Sequence, residues 1–265
     1  MSEEPRVRVE RDGAVAHVIL NRPEKRNGLD LGMFEEIIAA GESLLESKGL
    51  RAVVLRGSGG FFCAGLDFMS FMASGPEGRE WLLERGPSGA NRAQRISTIW
   101  QEVPVPVIAA IEGVAFGGGC QLAAGADIRI AAPDARLSVM EIKWGLIPDM
   151  GITTTLARQL RPDVLRELTW TGRIVDADEA ARIGLVTRVA DDPVAAATEL
   201  ATTIAGKAPN SIRAGKALLR DMAGRSPREA LELETELQLP LLMSGNQMEA
   251  VMANMEQREP VFEDV

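Results

Sequence analysis

Two glycine-rich turns contain the residue types that could hold an oxygen anion. One reads GSGGFFCAGLDF over residues 57–68, and the other reads GVAFGGGCQLAAG over residues 113–125. A helix that begins at such glycines has unpaired backbone N–H groups at the positive end of its dipole, and glycine lets a ligand approach them. Together, the two turns could aim two N–H groups at one oxygen and form an oxyanion hole. Either turn alone is more simply a tight connection.

Nucleotide and nucleic-acid binding are both disfavoured by the sequence. Neither turn fits G-x-x-x-x-G-K-[ST], and the glycines that G-x-G-x-x-G requires are missing. The 265-residue chain has a net charge of −9 and a pI near 4.9, whereas nucleic-acid binding needs a dominant basic face. A small anionic ligand would therefore need a local cluster of basic residues.

The acid or base of any reaction is expected to be a carboxylate. His17 is the only histidine and lies in the strand-like run VAHVIL, so a structural role is favoured for it. Cys63 and Cys120 lack C-x-x-C spacing, which disfavours a disulfide framework and a thiolate metal site. Small apolar filling is favoured over nucleophilic use for both cysteines, and no metal site is predicted.

The first half of the chain alternates strand-like and helix-like patterns. This alternation predicts an α/β fold in which crossover helices connect parallel strands. VRVE and AVAHVILNRP are predicted to pair around the turn Asp12-Gly13, and Asp30 is predicted to precede an amphipathic helix. Segment 70–97, rich in Gly, Arg and Glu, is predicted to be a lid or mobile loop. Further short strands are predicted at RAVVLRG, PVIAAIEG, DIRIAA and RLSV.

The second half, from Thr153 onward, is almost wholly helical in pattern. Helix starts are predicted at Asp176, Asp192, Ala208 and Ser226, and proline follows the last three. The leucine-rich carboxyl end predicts helices that either pack on their own domain or cover a neighbouring subunit.

The sequence gives no sign of a targeting or membrane segment. The amino terminus lacks the apolar stretch of a signal peptide, and prolines and Glu112 interrupt the most apolar run, VPVPVIAAIEGVAF. A cytoplasmic protein that does not span a membrane is expected.

Several motifs in order resemble those of the crotonase superfamily, the enoyl-CoA hydratase and isomerase family, over nearly the whole chain. They are NRPEKRNGL at 21–29, FCAGLDF at 62–68, EGVAFGGGCQLAAGADIRIA at 112–131, SVMEIKWGLIPDMGIT at 138–153 and TGRIVDADEAARIGLV at 171–186. The resemblance implies a crotonase-like α/β fold of repeated ββα units with a C-terminal helical region. It implies a core domain at 1–200 with a CoA-thioester site, a helical region at 201–265 for oligomerisation, and a homotrimer or dimer of trimers.

The resemblance also implies which residues meet the substrate. The backbone N–H groups of Ala64 and Gly118 are expected to hold the thioester oxygen, where an enolate would place negative charge. The CoA portion is expected beside the NRPEKRNGL loop, where Arg22, Lys25 and Arg26 supply local positive charge. No cofactor is expected, since coenzyme A is part of the substrate. The other residues expected to contact the substrate are Phe62, Gly65, Leu66, Asp67, Gly117 and Gln121.

The expected acid–base residues depart from two patterns in this family. Its hydratases have glutamates at the positions of both Gln121 and Glu141, and glutamine cannot exchange a proton at neutral pH. Its dienoyl-CoA isomerases resemble the chain at Glu141 and Asp149, where the two carboxylates donate and accept protons, but they have a third carboxylate in place of Gln121. The expectation is an enzyme that moves a double bond, with Glu141 and Asp149 as its catalytic residues.

Alternatives remain open for the reaction and for Asp149. The chain could be an enoyl-CoA hydratase in which Gln121 holds the water, or an acyl-CoA-binding protein without catalytic activity. Asp149 could instead cap a helix over residues 151–160. The residues expected to be structural or to shape the pocket are Lys143, Trp144, Asp67 and Asp127.

Overall fold

The computed structural model describes residues 4–73 and 77–265 as two sheets surrounded by helices. The strands are β1 (Val7–Asp12), β2 (Val15–Leu20), β3 (Ala52–Gly57), β4 (Val107–Ile111), β5 (Val114–Phe116), β6 (Ile128–Ala131), β7 (Arg136–Ser138), β8 (Val175–Asp176) and β9 (Arg188–Val189). The larger sheet has the order β1-β2-β3-β4-β6-β9, and the smaller has the order β5-β7-β8. Only β1 runs antiparallel within the described large sheet, which confirms the predicted α/β class.

Helices cover the large sheet and form most of the second half of the chain. The α-helices are α1 (Leu31–Leu45), α2 (Phe68–Ala73), α3 (Glu77–Leu83), α4 (Arg92–Glu102), α5 (Gly118–Ala124), α6 (Pro162–Thr171), α7 (Ala177–Ile183), α8 (Pro193–Ala205), α9 (Pro209–Asp221), α10 (Pro227–Gln238) and α11 (Gly245–Glu256). Short 3-10 helices lie at Pro23–Lys25, Glu141–Trp144, Leu156–Arg158 and Leu239–Leu241. Among the described helices, none is both long and apolar enough to cross a membrane.

The predicted local signals at the start of the chain are confirmed. Strands β1 and β2 pair antiparallel around the Asp12-Gly13 turn, and Gly13 has a φ of 56°, the left-handed conformation that glycine adopts readily. Asp30 caps α1, since its side chain accepts a hydrogen bond from the N–H of Met33 at 2.8 Å. The hairpin and the cap fix where α1 lies beside the sheet.

The central parallel strands are buried on both faces. Side chains alternate along β3, so Val53 and Leu55 join one apolar cluster, and Ala52 and Val54 join another on the opposite face. Helices α1, α4 and α5 contribute to the first cluster, and α8 contributes to the second. The sheet is therefore a rigid support for the loops that leave its strands.

Segment 70–97, predicted to be a lid or mobile loop, is largely helical, so the prediction of a loop is wrong, and its role as a lid stays a prediction. Helix α2 ends at Ala73, α3 covers Glu77–Leu83, and α4 begins at Arg92, while residues 74–76 lie outside the described chain. Asn91 caps α4 through a reciprocal capping box with Gln94. Gly and charged residues are typical of a loop, but this segment also contains apolar side chains that pack against α1 and α4.

The predicted helix starts in the second half are confirmed. Asp176, Asp192 and Ser226 each accept a backbone N–H at the start of a helix, and Ala208 is the residue before α9. The predicted boundary between residues 200 and 201 falls inside α8, whose Ala197 and Ala201 pack against the large sheet. Any separate C-terminal region therefore begins after α8.

Candidate active site

A cavity of about 280 Å³ lies where the two glycine-rich turns meet. The turns are joined by backbone hydrogen bonds from Cys63 N to Val114 O at 2.9 Å and from Phe116 N to Cys63 O at 3.0 Å. Gly119 fits against the first turn only because it lacks a side chain, since a Cβ there would lie 2.4 Å from Cys63 O. The predicted site residues that line the cavity are Ala64, Gly65, Leu66, Gly117, Gly118, Glu141 and Asp149.

The N–H of Ala64 is not the donor that the resemblance implied. It donates to the carbonyl of Arg26 at 2.9 Å. The next residues pair with Leu29, because Leu29 N donates to Gly65 O and Asp67 N donates to Leu29 O. This pairing leaves the Leu66 N–H pointing away from Leu29, with no acceptor among the described residues. Leu66 therefore replaces Ala64 as the candidate donor from the first turn.

The second candidate donor is the N–H of Gly118 in the first turn of α5. An N–H at this position has no carbonyl four residues earlier in the helix to bond with. Gly65 brings the other turn close, since a Cβ built on it would lie 3.7 Å from Gly118 N and only 2.5 Å from Phe116 O. Its φ of +88° also favours glycine. The geometry thus places two unpaired backbone donors on adjacent walls of one cavity.

Glu141 is held by Gln121 in a single orientation. The Gln121 Nε2 donates to Glu141 Oε1 at 2.6 Å, and Gln121 Oε1 accepts the Met150 N–H at 2.9 Å. Glu141 Oε2 is buried and has no hydrogen-bond partner within the described part of the chain. Gln121 is itself fully buried beneath the cavity wall, so it positions the carboxylate and does not line the cavity.

Burial raises the pKa of Glu141 above its ordinary value, and the negative charge of nearby Asp149 raises it further. Hydrogen bonds from its own backbone and from Gln121 partly oppose the rise. A carboxyl with a raised pKa holds and releases a proton closer to neutral pH than an exposed one. Glu141 therefore has the electrostatic properties of a general acid or base.

Asp149 lines the same cavity and caps no described helix. The segment that follows it contains only turns and the 3-10 helix Leu156–Arg158, which begins after Thr155. The predicted helix over 151–160 is wrong, and the capping alternative for Asp149 fails with it. Burial raises the pKa of Asp149, an effect that its own backbone N–H partly opposes. Two carboxyls with raised pKa values thus face one cavity.

Three residues predicted to contact the substrate have structural roles instead. Phe62 is fully buried in the large apolar cluster, so the prediction that it contacts the substrate is wrong. The Arg22 guanidinium pairs with Asp67 Oδ2 at 3.0 Å and with Asp30 Oδ2 at 3.4 Å. The Asp67 side chain also accepts the Ser70 N–H at 3.2 Å. This internal ion-pair cluster holds the NRPEKRNGL loop against α1 and α2.

Lys25 and Arg26 remain available on the surface of that loop. Both are exposed, and the Arg26 guanidinium lies over the Phe61 ring at 5.2 Å from its centroid. Arg26 adopts a φ of 48°, which reverses the chain after the 3-10 helix Pro23–Lys25. The loop therefore presents two cations near the first glycine-rich turn.

The other residues singled out in the sequence do not line the cavity, with the exception of Trp144. His17 is on β2, and burial and Arg56 lower its pKa. Burial raises the pKa of Cys63 and of Cys120 to about 12, which disfavours a thiolate. Asp127 pairs with the buried Lys216 at 2.7 Å. Trp144 lines the cavity with Lys143 over its ring. In residues 4–73 and 77–265, no three His, Cys, Asp or Glu side chains form a group that could hold a metal ion.

Most of the apolar lining of the cavity was missed by the sequence analysis. Aromatic rings lie in pairs along it: Phe34 meets Trp81 edge-on at 5.8 Å, and Phe68 stacks on Trp144 at 4.7 Å. Phe68 and Trp144 lie in motifs quoted above, whereas Phe34 and Trp81 lie in none, and the only signal of these two is a large apolar side chain. Apart from Trp144, which was expected to be structural or to shape the pocket, the lining residues outside the predicted set are Phe34, Phe68, Phe71, Trp81, Leu82, Ala93, Phe116, Met140, Leu146, Ile147 and Met150.

Known proteins resemble this chain along almost its whole length. Residues 10–265 match the sequence profile described as enoyl-CoA hydratase/isomerase. The chain is 32% identical to the enoyl-CoA hydratase EchA19 of Mycobacterium tuberculosis, over 98% of this chain and 97% of that protein. It is 34% identical to the mitochondrial Delta(3,5)-Delta(2,4)-dienoyl-CoA isomerase of Mus musculus, over 92% of this chain and 77% of that protein. The fold matches the crystal structure of an enoyl-CoA hydratase from Bacillus anthracis with a TM-score of 0.88 and 30% identity, covering 97% and 98% of the two chains.

Proposed function

This chain belongs to the enoyl-CoA hydratase/isomerase family, and we propose that it moves a double bond in an enoyl- or dienoyl-CoA thioester. The observation that carries this proposal is the presence of Asp149 in the same cavity as Glu141, without a helix to cap. Moving a double bond requires one proton to leave the acyl chain and another to return at a different carbon. Two carboxyls facing one cavity can perform both transfers.

The backbone N–H groups of Leu66 and Gly118 would hold the thioester oxygen. When a proton leaves the carbon next to the thioester, the electron pair moves onto that oxygen as an enolate. Two fixed donors stabilise this charge without rearranging, and one such donor contributes roughly 10² to 10³ in rate. Gly117 and Gly65 leave the space in which the thioester can approach these donors.

Glu141 would remove the proton through its unpaired oxygen, Oε2. Asp149 would return a proton at the far end of the conjugated system as the enolate collapses to the thioester. One proton leaves and one returns, so the reaction balances without an oxidant, a reductant or a further cofactor. The raised pKa of Asp149 favours the protonated form that such a donor needs.

Hydration of an enoyl-CoA is the second candidate. The similarity to enoyl-CoA hydratases favours it, and a buried carboxylate oxygen without a partner could activate a water. Gln121 argues against it, because its side chain is fully buried, bonds to Glu141 and Met150, and does not line the cavity in which a water would be held. Isomerisation therefore gives a role to both carboxyls in the cavity, whereas hydration gives one to Glu141 alone.

Product analysis in heavy water separates the two reactions. The protein would be incubated with 2-enoyl, 3-enoyl and 3,5-dienoyl thioesters, and the products identified by mass spectrometry and NMR. We expect a shifted double bond with deuterium at the newly protonated carbon. A product with an added hydroxyl group and no shifted double bond would contradict the proposal and favour hydration.

The CoA phosphates would lie near Lys25 and Arg26, and no longer near Arg22, whose charge is neutralised by Asp67 and Asp30. The double variant K25A/R26A should raise the Kd for an acyl-CoA by roughly 10-fold at low salt and by less at high salt. An unchanged Kd at low salt would place the phosphates elsewhere.

The C-terminal helices would contact further copies of the chain, in a homotrimer or a dimer of trimers. Helix α9 packs on its own core, since Lys216 donates to the carbonyls of Trp100 and Val105. In contrast, Leu231, Leu239 and Met255 are more than half exposed, and apolar side chains on adjacent helices favour contact with a partner. Light scattering should show an oligomer at micromolar concentration, and a stable monomer would contradict this arrangement.

A further inference from the structure

The cavity has one open end and one closed end. Ile147 and Trp144 are 75% and 53% exposed, whereas Phe34 and Trp81 are 2% and 9% exposed. Phe34 belongs to α1, Trp81 to α3 and the buried Ala93 to α4, so three helices meet at the closed end. An acyl group that enters past Trp144 is therefore directed toward Trp81.

The Trp81 ring makes two contacts that hold it in place. Its edge-to-face contact with Phe34 has an interplanar angle of 89°. The Arg92 guanidinium lies over the indole, 5.1 Å from its centroid, and is itself bonded to Glu35 at 3.3 Å and paired with Glu84 at 3.5 Å. A ring that contacts both an aromatic side chain and a paired cation keeps its position when a ligand presses against it.

A second and larger cavity is lined by Arg92, the residue whose guanidinium lies over the Trp81 ring. Its volume is about 1010 Å³, and Glu35, Glu84 and Arg92 line it. Glu35 follows Phe34 in α1, and Arg92 precedes Ala93 in α4, so the same helices line one cavity with apolar side chains and the other with charged ones. Of these two cavities, Trp81 lines the first alone, and the Arg92 guanidinium that lies over its indole lines the second.

We propose that Trp81 limits the length of the acyl group by closing the inner end of the cavity. The inference rests on the proposed function in that the acyl group occupies the cavity. The volume of about 280 Å³ is just below the range of small-molecule sites, about 300 to 1,000 Å³. A chain that reaches the indole can extend no further without displacing a ring that Phe34 and Arg92 hold in place.

Truncating Trp81 should increase the maximum length of acyl chain that binds. W81A would remove the indole from the inner end of the cavity, so a longer chain would have room beyond the present limit. W81F keeps a smaller ring at the position and should shift the range less. The matched control is W170A, which truncates a 70% exposed tryptophan on α6 that does not line either cavity.

The test is the Kd of short-, medium- and long-chain saturated acyl-CoAs for the wild type and these three variants. Saturated ligands report binding alone, so the result is independent of which reaction the enzyme performs. For the wild type and W170A, we expect affinity to fall by about 10-fold or more once the chain exceeds the cavity. For W81A, long chains should bind at least as tightly as medium chains, a gain that damage to the fold would not produce.

Two results would overturn the inference. Only the second of them would also overturn the proposed function. If the wild type binds acyl-CoAs and W81A and W81F keep its chain-length profile while remaining folded by circular dichroism, Trp81 does not set the limit and the proposed function stands. If the wild type binds no acyl-CoA of any length, the proposed function fails together with the inference. If W81A does not fold, an unchanged profile in folded W81F overturns the inference, and a longer range in W81F supports it.

Discussion

The two walls of the cavity are held by different kinds of interaction. Hydrogen bonds fix the polar wall, where Gln121 connects Glu141 to the backbone of Met150 and leaves one carboxylate oxygen free. Ring contacts hold the apolar wall, which includes the pairs Phe34–Trp81 and Phe68–Trp144. Hydrogen bonds define the direction of one atom, whereas ring contacts define a shape. The polar wall should therefore control the rate of the reaction, and the apolar wall should control which substrate binds.

The largest effect is expected from E141Q in the polar wall. Glutamine keeps the shape and can still accept the Gln121 hydrogen bond, but it cannot remove a proton at neutral pH. Turnover should fall by about 10⁴, the upper range for loss of a general acid or base, with KM little changed. Steady-state kinetics together with deuterium exchange at the acyl chain measures both. Exchange at the wild-type rate in E141Q would show that another group is the base.

D149N should have the next largest effect and should act on one reaction only. Asp149 is proposed to return a proton at the far end of the conjugated system, so its loss should slow isomerisation by about 10². Any trace hydration should be unaffected, because it needs no proton at that carbon. Equal losses in both reactions, measured on the same thioester, would mean that Asp149 only supports the local structure.

Q121E tests whether Gln121 selects the reaction. A second carboxylate would face Glu141 at the present 2.6 Å contact, so the pair would share a proton and titrate together. Hydration of a 2-enoyl thioester should rise by roughly 10-fold, since a carboxylate pair can position and activate water. If hydration does not rise while the variant remains folded, Gln121 has no part in reaction choice. Q121M, which removes the amide at similar volume, is the control for disturbed packing.

W144A in the apolar wall should have a smaller effect of a different kind. Removing the ring that stacks on Phe68 deletes a contact at the open end of the cavity. KM should rise by about 10-fold, in line with the loss of one aromatic pair, while kcat stays within about 2-fold. A large fall in kcat with little change in KM would contradict the division between the two walls.

The sequence predicted the polar wall better than the apolar wall, for a physical reason. Gly118 and Glu141 belong to motifs with fixed local spacing, and Asp30 and Ser226 are signalled by the helix starts next to them. Trp81 has no such signal, because its partners are far away in sequence and its own helix is short and charged. Packing of this kind depends on which elements meet, and local patterns do not specify that.

The errors within the polar wall have a similar cause. Ala64 and Leu66 both follow a strand, and which N–H remains unpaired depends on the carbonyls of Arg26 and Leu29 from another loop. The residue type of Arg22 indicates a charge but not its partner, and the fold supplies two carboxylates to it. Backbone pairing and ion pairing over long sequence separations are properties of the assembled chain.

The smallest expected effect is on thermal stability, and it differs between the two walls. The polar wall contains buried carboxyls, which make the folded state less stable when they are charged. Burial raises the pKa of Glu141 in the folded state above its value in the unfolded state, which is about 4. The contribution of Glu141 to stability is therefore fully present below the unfolded pKa and is lost as pH rises through the folded pKa. The neutral side chain in E141Q undergoes no such loss. E141Q should therefore have a higher Tm than the wild type at neutral pH, with a difference that shrinks toward acid pH. W144A, which changes no titrating group in the cavity, should show no comparable pH-dependent difference. The measurement is the Tm of the wild type, E141Q and W144A across this pH range. A Tm difference between E141Q and the wild type that is constant with pH or reversed in sign would contradict the argument.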